Sequence, residues 1–286
     1  MRIAHISDLH FGRHFIPTVA EQLSRRITDL APDAIVVSGD LTQRARKHEF
    51  SDSLAYLKTL QANLNHVPLM VVPGNHDIPL YHLWNRLTQP YHHYHNHYGQ
   101  QPDVIDQGDV LLVGLNSTSP YRALINGRVS SAELERCGRL FAASPPEQWR
   151  VLVLHHHLLP PPGYDRRKPM PKARRLLAWL HEMKVDVVLN GHLHRAYVGN
   201  TLDVYPGDHR AQGITVVQCG TSTSQRGRGY EREKNSFNLV EFQDEQLRVE
   251  HWIYMAEGDN PGSDGQQSQQ AGFSNISTHT FTRSGR

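Results

Sequence analysis

Five short apolar runs in this chain end in acids, amides and imidazoles, and that recurrence constrains the fold more than any other feature. Arg2–Ile6 leads to Asp8-Leu9-His10, Ala34–Ser38 to Gly39-Asp40, and Val67–Val72 to Gly74-Asn75-His76-Asp77. Arg150–Leu154 leads to His155-His156-His157, and Val185–Asn190 to Gly191-His192-Leu193-His194. Between them, Val19, Leu23, Ile27 and Leu30 follow Pro17 at helical spacing. A helix from about Lys47 to Leu60 is expected to bury Phe50, Leu54, Leu57 and Leu60. Strands alternating with helices make βαβ units around a largely parallel sheet. In such sheets the carboxyl ends of the strands converge on one crevice, where ligands bind.

The remaining segments are less regular. Residues 79–98 read as one or two short helices, ending in His92, His93, His95 and His97 among tyrosines. The spacing of that cluster is irregular, so a solvated cap or an oligomer contact is the better reading than a third metal site. Strands are expected near 103–107 and 109–115 across a Gly108-Asp109 turn, and helices over 130–142 and 172–183. The Pro-rich loop 158–171 carries Arg166, Arg167 and Lys168, which read equally as a lid over phosphates or a solvated turn. Short strands near 195–199, 213–219, 236–243 and 246–255 suggest an antiparallel meander added to the second sheet. The expected organisation is one domain over 1–256, with 79–98 as a cap segment. A Gly/Ser/Gln-rich linker and tail follow over 257–286, and from Phe273 the tail can dock as an edge strand.

Composition excludes several classes. The 38% hydrophobic and 20% charged residues describe an ordinary globular protein, and length alone allows one large α/β domain or two small ones. A formal net charge of +2 is too slight for a nucleic-acid binder. No run of 18 apolar residues exists, so no membrane span is expected. Cys137 and Cys219 make neither a CxxC pair nor a disulfide framework, and no signal-peptide core precedes Asp8, so a cytoplasmic protein is expected.

Twenty histidines are unusual. At an extended strand end, residues i and i+2 share a face, which suits His192 and His194 to neighbouring ions. Two carboxylates, an amide oxygen and several imidazoles form a mixed N/O donor set. It suits two divalent ions drawn from Mn, Fe, Zn, Co or Ni, and the absence of thiolates argues against a Cys-type zinc site. One central carboxylate can bridge two ions, which together clamp the attacking and leaving oxygens of a phosphoryl group.

The block order D-x-H, G-D, G-N-H-D, H and G-H-x-H, from Asp8 to His194, resembles the calcineurin-like metallophosphoesterase superfamily. The Gly39-Asp40-Leu41-Thr42 form and the paired histidines at 155 and 156 are most similar to its bacterial class III cyclic-nucleotide and glycerophosphodiester phosphodiesterase branch. The resemblance implies an α/β fold, a four-layer αββα sandwich of two mixed β-sheets flanked by helices, with a dinuclear metal site at the strand C-terminal edge. It assigns Asp8, His10, Asp40 and His194 to a first ion, and Asp40, Asn75, His155 and His192 to a second. His156 is the fallback for His155, and His157 stands where the family usually has proline. A bridging water or hydroxide would attack phosphorus in line. His76 would contact the phosphate and protonate the leaving alkoxide, and Asp77 would orient its neighbours or a histidine ring nitrogen.

Arg13, His14, Arg44 and His156 are candidate substrate contacts. Arg226 and Arg228, in a Gly-rich turn, read as surface charge, and Asn116 as a site support or a turn residue. The implied activity is hydrolysis of a small-molecule phosphodiester of cyclic-nucleotide or glycerophosphodiester type. Alternatives are a phosphomonoesterase or nucleotide phosphatase, a nuclease, which would need a basic groove, and a non-catalytic scaffold binding a protein partner. The sequence carries no sign of oligomeric state.

Overall fold

The alternation of side chains along the first strand sorts them between two separate cores. β1 (Arg2–Ile6) sends Ala4 and Ile6 to one side and Ile3 to the other. The computed structural model describes residues 1–121, 125–160, 169–205, 213–228, 231–256 and 271–283. Ala4 and Ile6, with Ile35 and Val37 of β2 (Ala34–Val37), pack on Val19, Leu23 and Ile27 of α1 (Pro17–Leu30). Phe50, Leu57 and Leu60 of α2 (Lys47–Asn63) complete that core.

On the opposite face, Ile3, Val36 and Met70 of β3 (Leu69–Val71) meet the second sheet. Their partners are Leu112 of β5 (Val110–Gly114), Val151 and Val153 of β6 (Trp149–Val153), and Leu189 of β7 (Val187–Asn190). The outer face of that sheet places Leu111, Leu152 and Val188 against Phe141 of α5 (Ser131–Ala143) and Leu177 and Leu180 of α6 (Ala173–Glu182). Three cores between four layers make an αββα sandwich.

The first sheet runs β12-β11-β10-β1-β2-β3, with β10 (Ser236–Gln243), β11 (Gln246–Met255) and β12 (Gly272–Thr282) antiparallel and β1, β2 and β3 parallel. The second runs β4-β5-β6-β7-β9-β8, where β4 (Val104–Asp106) and β8 (Tyr197–Asn200) are antiparallel edges. Between them lies β9 (Thr215–Gln218), parallel to β7.

This corrects the sequence expectation that strands 236–243 and 246–255 extend the second sheet. The β10–β11 hairpin pairs with β1, opposing Ile3 to Val240, and places Val240, Phe242 and Val249 in the core between the sheets beside Ile3. Nearness in sequence favoured the second sheet, but burial of that hairpin's apolar face decides for the first. The expected loop cations Arg166, Arg167 and Lys168, and residues 257–270, lie outside the described residues. Among the described residues, no helix is long and apolar enough to cross a membrane.

Candidate metal centre

All five polar blocks lie at the carboxyl ends of β1, β2, β3, β6 and β7. The chain turns sharply there: Asp8, His10, Asp40, His192 and His194 all have positive φ, between 50° and 77°. Asp and His tolerate this region better than most side chains, and concentrated strain of this kind is typical of functional sites. The extended reading of Gly191–His194 is therefore corrected, since a left-handed backbone sends the two rings to different clusters. Backbone bonds lace the blocks together: Asp8 N donates to Gly39 O (3.0 Å), His10 N to Asp40 O (2.9 Å) and Gly191 N to His155 O (3.1 Å).

Two glycines give the side chains room. Gly39 has φ +94°, and a Cβ there would lie 2.6 Å from His155 Nδ1. A Cβ on Gly74 would overlap the backbone nitrogen and Oδ1 of Asp40.

The donors fall into two groups that share Asp40. In one, His194 Nε2 lies 3.2 Å from Asp8 Oδ1, and His10 Nε2 lies 3.6 Å from Asp40 Oδ2. In the other, His155 Nε2 lies 3.4 Å from Asp40 Oδ1, 3.2 Å from Asn75 Oδ1 and 3.3 Å from His192 Nδ1. Asn75 Oδ1 also stands 3.0 Å from His192 Nδ1. Asp40 thus turns one oxygen to each group, and Asp8, His10, Asp40 and His194 are all buried.

Backbone acceptors set the ring tautomers. His155 Nδ1 donates to Ser38 O (2.8 Å) and His194 Nδ1 to Arg226 O (2.8 Å), while His10 Nδ1 faces Thr42 O more loosely at 3.4 Å. With the Nδ1 protons outward, the Nε2 atoms point inward, as in metal-ligating histidines. His10 Nε2 and His194 Nε2 then face each other at 3.1 Å with no proton required between them. Asp8 Oδ1 is buried beside them without a hydrogen-bond partner. Converging lone pairs and an orphaned carboxylate oxygen are unfavourable unless a cation sits among them, so the residues fit a pair of divalent ions.

Electrostatics agree. Burial works against ionising Asp40, yet the imidazoles of His155, His76 and His10 hold its carboxyl well below the usual range. Burial drives His10 and His192 well below the ordinary imidazole value, which keeps them neutral. His155 goes the other way: despite burial, the charge and hydrogen bond of Asp40 raise it to about 9, so cation binding there must displace a proton.

Residues 1–196 match the calcineurin-like phosphoesterase family. The chain belongs to that family. This phosphoesterase is similar to a probable cyclic nucleotide phosphodiesterase of Pseudoalteromonas sp. (strain SM9913), at 28% identity over 245 residues, covering 80% of this chain and 86% of that protein. It is also similar to a UDP-2,3-diacylglucosamine pyrophosphatase of Chlamydia muridarum, at 24% identity over 253 residues, covering 80% of this chain and 72% of the other. Its fold superposes on a purple acid phosphatase from yellow lupin (Lupinus luteus) seeds with a TM-score of 0.65 at 14% identity. That match covers 99% of this chain and 54% of the lupin chain, so the phosphoesterase spans about half of that protein.

The other candidates are dispersed around the centre. His76 Nδ1 donates to Gln43 O (2.9 Å), which leaves its Nε2 lone pair to accept from Arg226 Nη1 (3.1 Å). Among the described residues, Asp77 hydrogen-bonds no histidine nitrogen. Its carboxylate accepts from the backbone of Leu41, Thr42 and Gly74 and from Thr42 Oγ1, tying the β2 and β3 termini together. Burial and the Asp40 charge push Asp77 up to about 7, against those bonds.

His156 Nδ1 meets Ser117 Oγ (2.8 Å), and its Nε2 is buried without a hydrogen-bond partner near His155 and His192. The His157 ring stacks on His192. Arg13 and Arg44 are exposed, with the Arg44 guanidinium 5.3 Å over the Tyr81 ring. His14 is half-buried, and burial followed by Arg226, Arg13 and Arg44 lowers its pKa, so these four basic groups share one rim. Asn116 is a turn residue: its Oδ1 accepts from Thr118 N and Oγ1. The expected histidine cluster lies on α4 (His92–Tyr98), where His97 stacks on Phe50 and meets Ser51 Oγ.

The sequence reading of Arg226 as surface charge is wrong. Arg226 is half-buried against His76 and His10. The available signal was the Thr221-Ser222-Thr223-Ser224 run before it, a buried polar stretch that calls for an anchored loop.

Proposed function

We propose that this phosphoesterase hydrolyses a small-molecule phosphodiester, of cyclic-nucleotide or glycerophosphodiester type, with two divalent ions at the paired donor groups. The observation that carries this reading is the 3.1 Å approach of His10 Nε2 and His194 Nε2 beside the buried, unpartnered Asp8 Oδ1. Asp8, His10, Asp40 and His194 would hold one ion, and Asp40, Asn75, His155 and His192 the other. When bound, the ions supply positive charge to a phosphoryl group and bring the pKa of water down toward neutrality. The all-N/O donor set suits Mn, Fe, Zn, Co or Ni.

The chain's own residues do the positioning. Ser38 O and Arg226 O hold His155 and His194 by their outer N–H groups, so their Nε2 atoms stay directed inward. Asp77 fixes the turn that carries Asn75 and His76 relative to Asp40. With Nδ1 already donating to Gln43 O, His76 has Nε2 for the substrate, and it protonates a leaving alkoxide once that nitrogen carries a proton. The small-diester reading is supported by likeness to the Pseudoalteromonas protein and by the small net charge, which disfavours nucleic acid. Two buried free cysteines, Cys137 and Cys219, support a cytoplasmic setting.

The test is hydrolysis of bis-p-nitrophenyl phosphate by purified protein with Mn²⁺, followed by a panel of cyclic nucleotides and glycerophosphodiesters. Chelation and Asp40→Ala should each abolish turnover, and activity surviving either one would overturn the mechanism. The Arg226 cation beside His76 favours one alternative, a phosphomonoester, whose second charge it would neutralise. Preference for mono- over bis-p-nitrophenyl phosphate would select that alternative.

A further inference from the structure

Arg226 lies on the loop after β9, and the loop is fixed by buried bonds from several sides. Thr221 Oγ1 donates to Asp8 O (2.7 Å), Thr223 Oγ1 to Leu9 O (2.9 Å) and Asn235 Nδ2 to Ser224 O (2.9 Å). Ile16 N donates to Thr223 O (2.8 Å) and Gln225 N to His14 O (3.0 Å), joining this loop to the one that leaves His10. The Arg226 carbonyl holds His194. Its guanidinium turns toward the crevice, with Nη1 3.1 Å from His76 Nε2 and 3.4 Å from His10 Nδ1.

A guanidinium only donates hydrogen bonds and stays charged, so it is rarely buried without an acid. Among the described residues no carboxylate lies within ion-pair distance of Arg226; the nearby charges of Asp8 and Asp40 act on it from further away. Its visible acceptor is one neutral imidazole nitrogen, which leaves most of its planar fork unused. Divalent ions at the centre would neutralise those two carboxylates and leave the Arg226 cation without a counter-charge. A half-buried fork of this kind, aimed where a phosphoryl group must sit, matches phosphate oxygens in shape and sign.

We infer that Arg226 binds a non-bridging phosphoryl oxygen of the substrate directly, transferring its Nη1 hydrogen bond from His76 Nε2 to that oxygen and so freeing His76 for the leaving group. This inference rests on the phosphoester reading of the centre. It makes Arg226 a substrate-contacting residue, and its side chain can be altered without removing the carbonyl that holds His194.

The experiment compares wild-type protein, Arg226→Lys and Arg226→Gln, each loaded with Mn²⁺. Inorganic phosphate binding is measured by calorimetry, hydrolysis of bis-p-nitrophenyl phosphate by steady-state kinetics, and bound metal by elemental analysis. Losing a charge-assisted bond to a phosphoryl oxygen should weaken phosphate binding and lower kcat/KM by about 10- to 100-fold in Arg226→Gln. Arg226→Lys should recover part of both, because it keeps the charge but not the fork.

Metal content should be the same in all three proteins. Unchanged phosphate affinity in Arg226→Gln overturns the inference, and so does loss of bound metal that accounts for the loss of activity, which would make Arg226 a support for His10 and His194. If the wild-type protein cleaves no phosphoester yet binds phosphate through Arg226, the proposed reaction fails while this contact stands.

Discussion

Gly39→Ala tests whether the close approach of β2 to β6 sets the catalytic geometry. Gly39 has φ +94°, so alanine pays a left-handed strain of about 1 to 2 kcal/mol wherever the new methyl points. The methyl would also stand 2.6 Å from His155 Nδ1, and His155 must retreat by about 0.8 Å to reach the ordinary contact distance of 3.4 Å. That retreat pulls Nδ1 from Ser38 O, now at 2.8 Å, and Nε2 from Asn75 Oδ1, now at 3.2 Å. A misplacement near 1 Å at a catalytic centre costs about 10²-fold in rate. Gly108→Ala is the control, since Gly108 has φ +73° but nothing within 4 Å of an added Cβ. Gly39→Ala should be the less stable of the two in urea, and it alone should lose about 10²-fold in kcat with Mn²⁺ and bis-p-nitrophenyl phosphate. Equal activity in the two variants would refute the claim that this contact positions His155.

His76→Ala should cost about 10²- to 10⁴-fold on a substrate with an alkoxide leaving group and far less on one releasing p-nitrophenolate, which departs without a proton; equal losses would remove His76 as the acid. Metal binding at pH 7.5 should release at least one proton per chain, because His155 is raised to about 9 in the metal-free protein. Titration calorimetry in two buffers of different ionisation enthalpy reads this directly, and no release would place His155 outside the ligand set. Burial holds His5 down at about 3, with Asp8 pulling it back up and Ser38 Oγ at 2.9 Å from its Nε2. Its folded pKa lies below the unfolded value, so its contribution is complete above pH 6.5 and is lost as pH falls toward 3, at about 1.4 kcal/mol per pH unit. Urea titrations of chelated protein should show a shallower acid slope in His5→Gln, and an unchanged slope would rule His5 out as a source of acid sensitivity.

The donor residues of the candidate centre could be read from the chain because each is tied to its own strand. A carboxylate or imidazole placed one or two residues past an apolar run must emerge at the carboxyl edge of the sheet, whatever the rest of the molecule does. The helix–strand alternation showed an α/β chain, while the four layers were what the family resemblance implied; in the structure they form because Ile3 and Ala4 face opposite sides of β1. Neither argument reaches β10 and β11. Their alternation shows that one face is buried but not which sheet they join, and only the vacant side of β1 settles it.

Sequence by itself therefore determined an α/β chain and the candidate donors at its strand ends in their order, and the family resemblance supplied the layers. Tertiary structure decided which oxygen of Asp40 faces which group, which ring nitrogens of His10, His155 and His194 turn inward, and that Arg226 enters the crevice. Those outcomes depend on contacts between distant segments: Ser38 O with His155 across 117 positions, and Arg226 with His10 across 216. No local pattern encodes such a meeting, because it arises from how the loops after β2 and β9 pack against the strand ends.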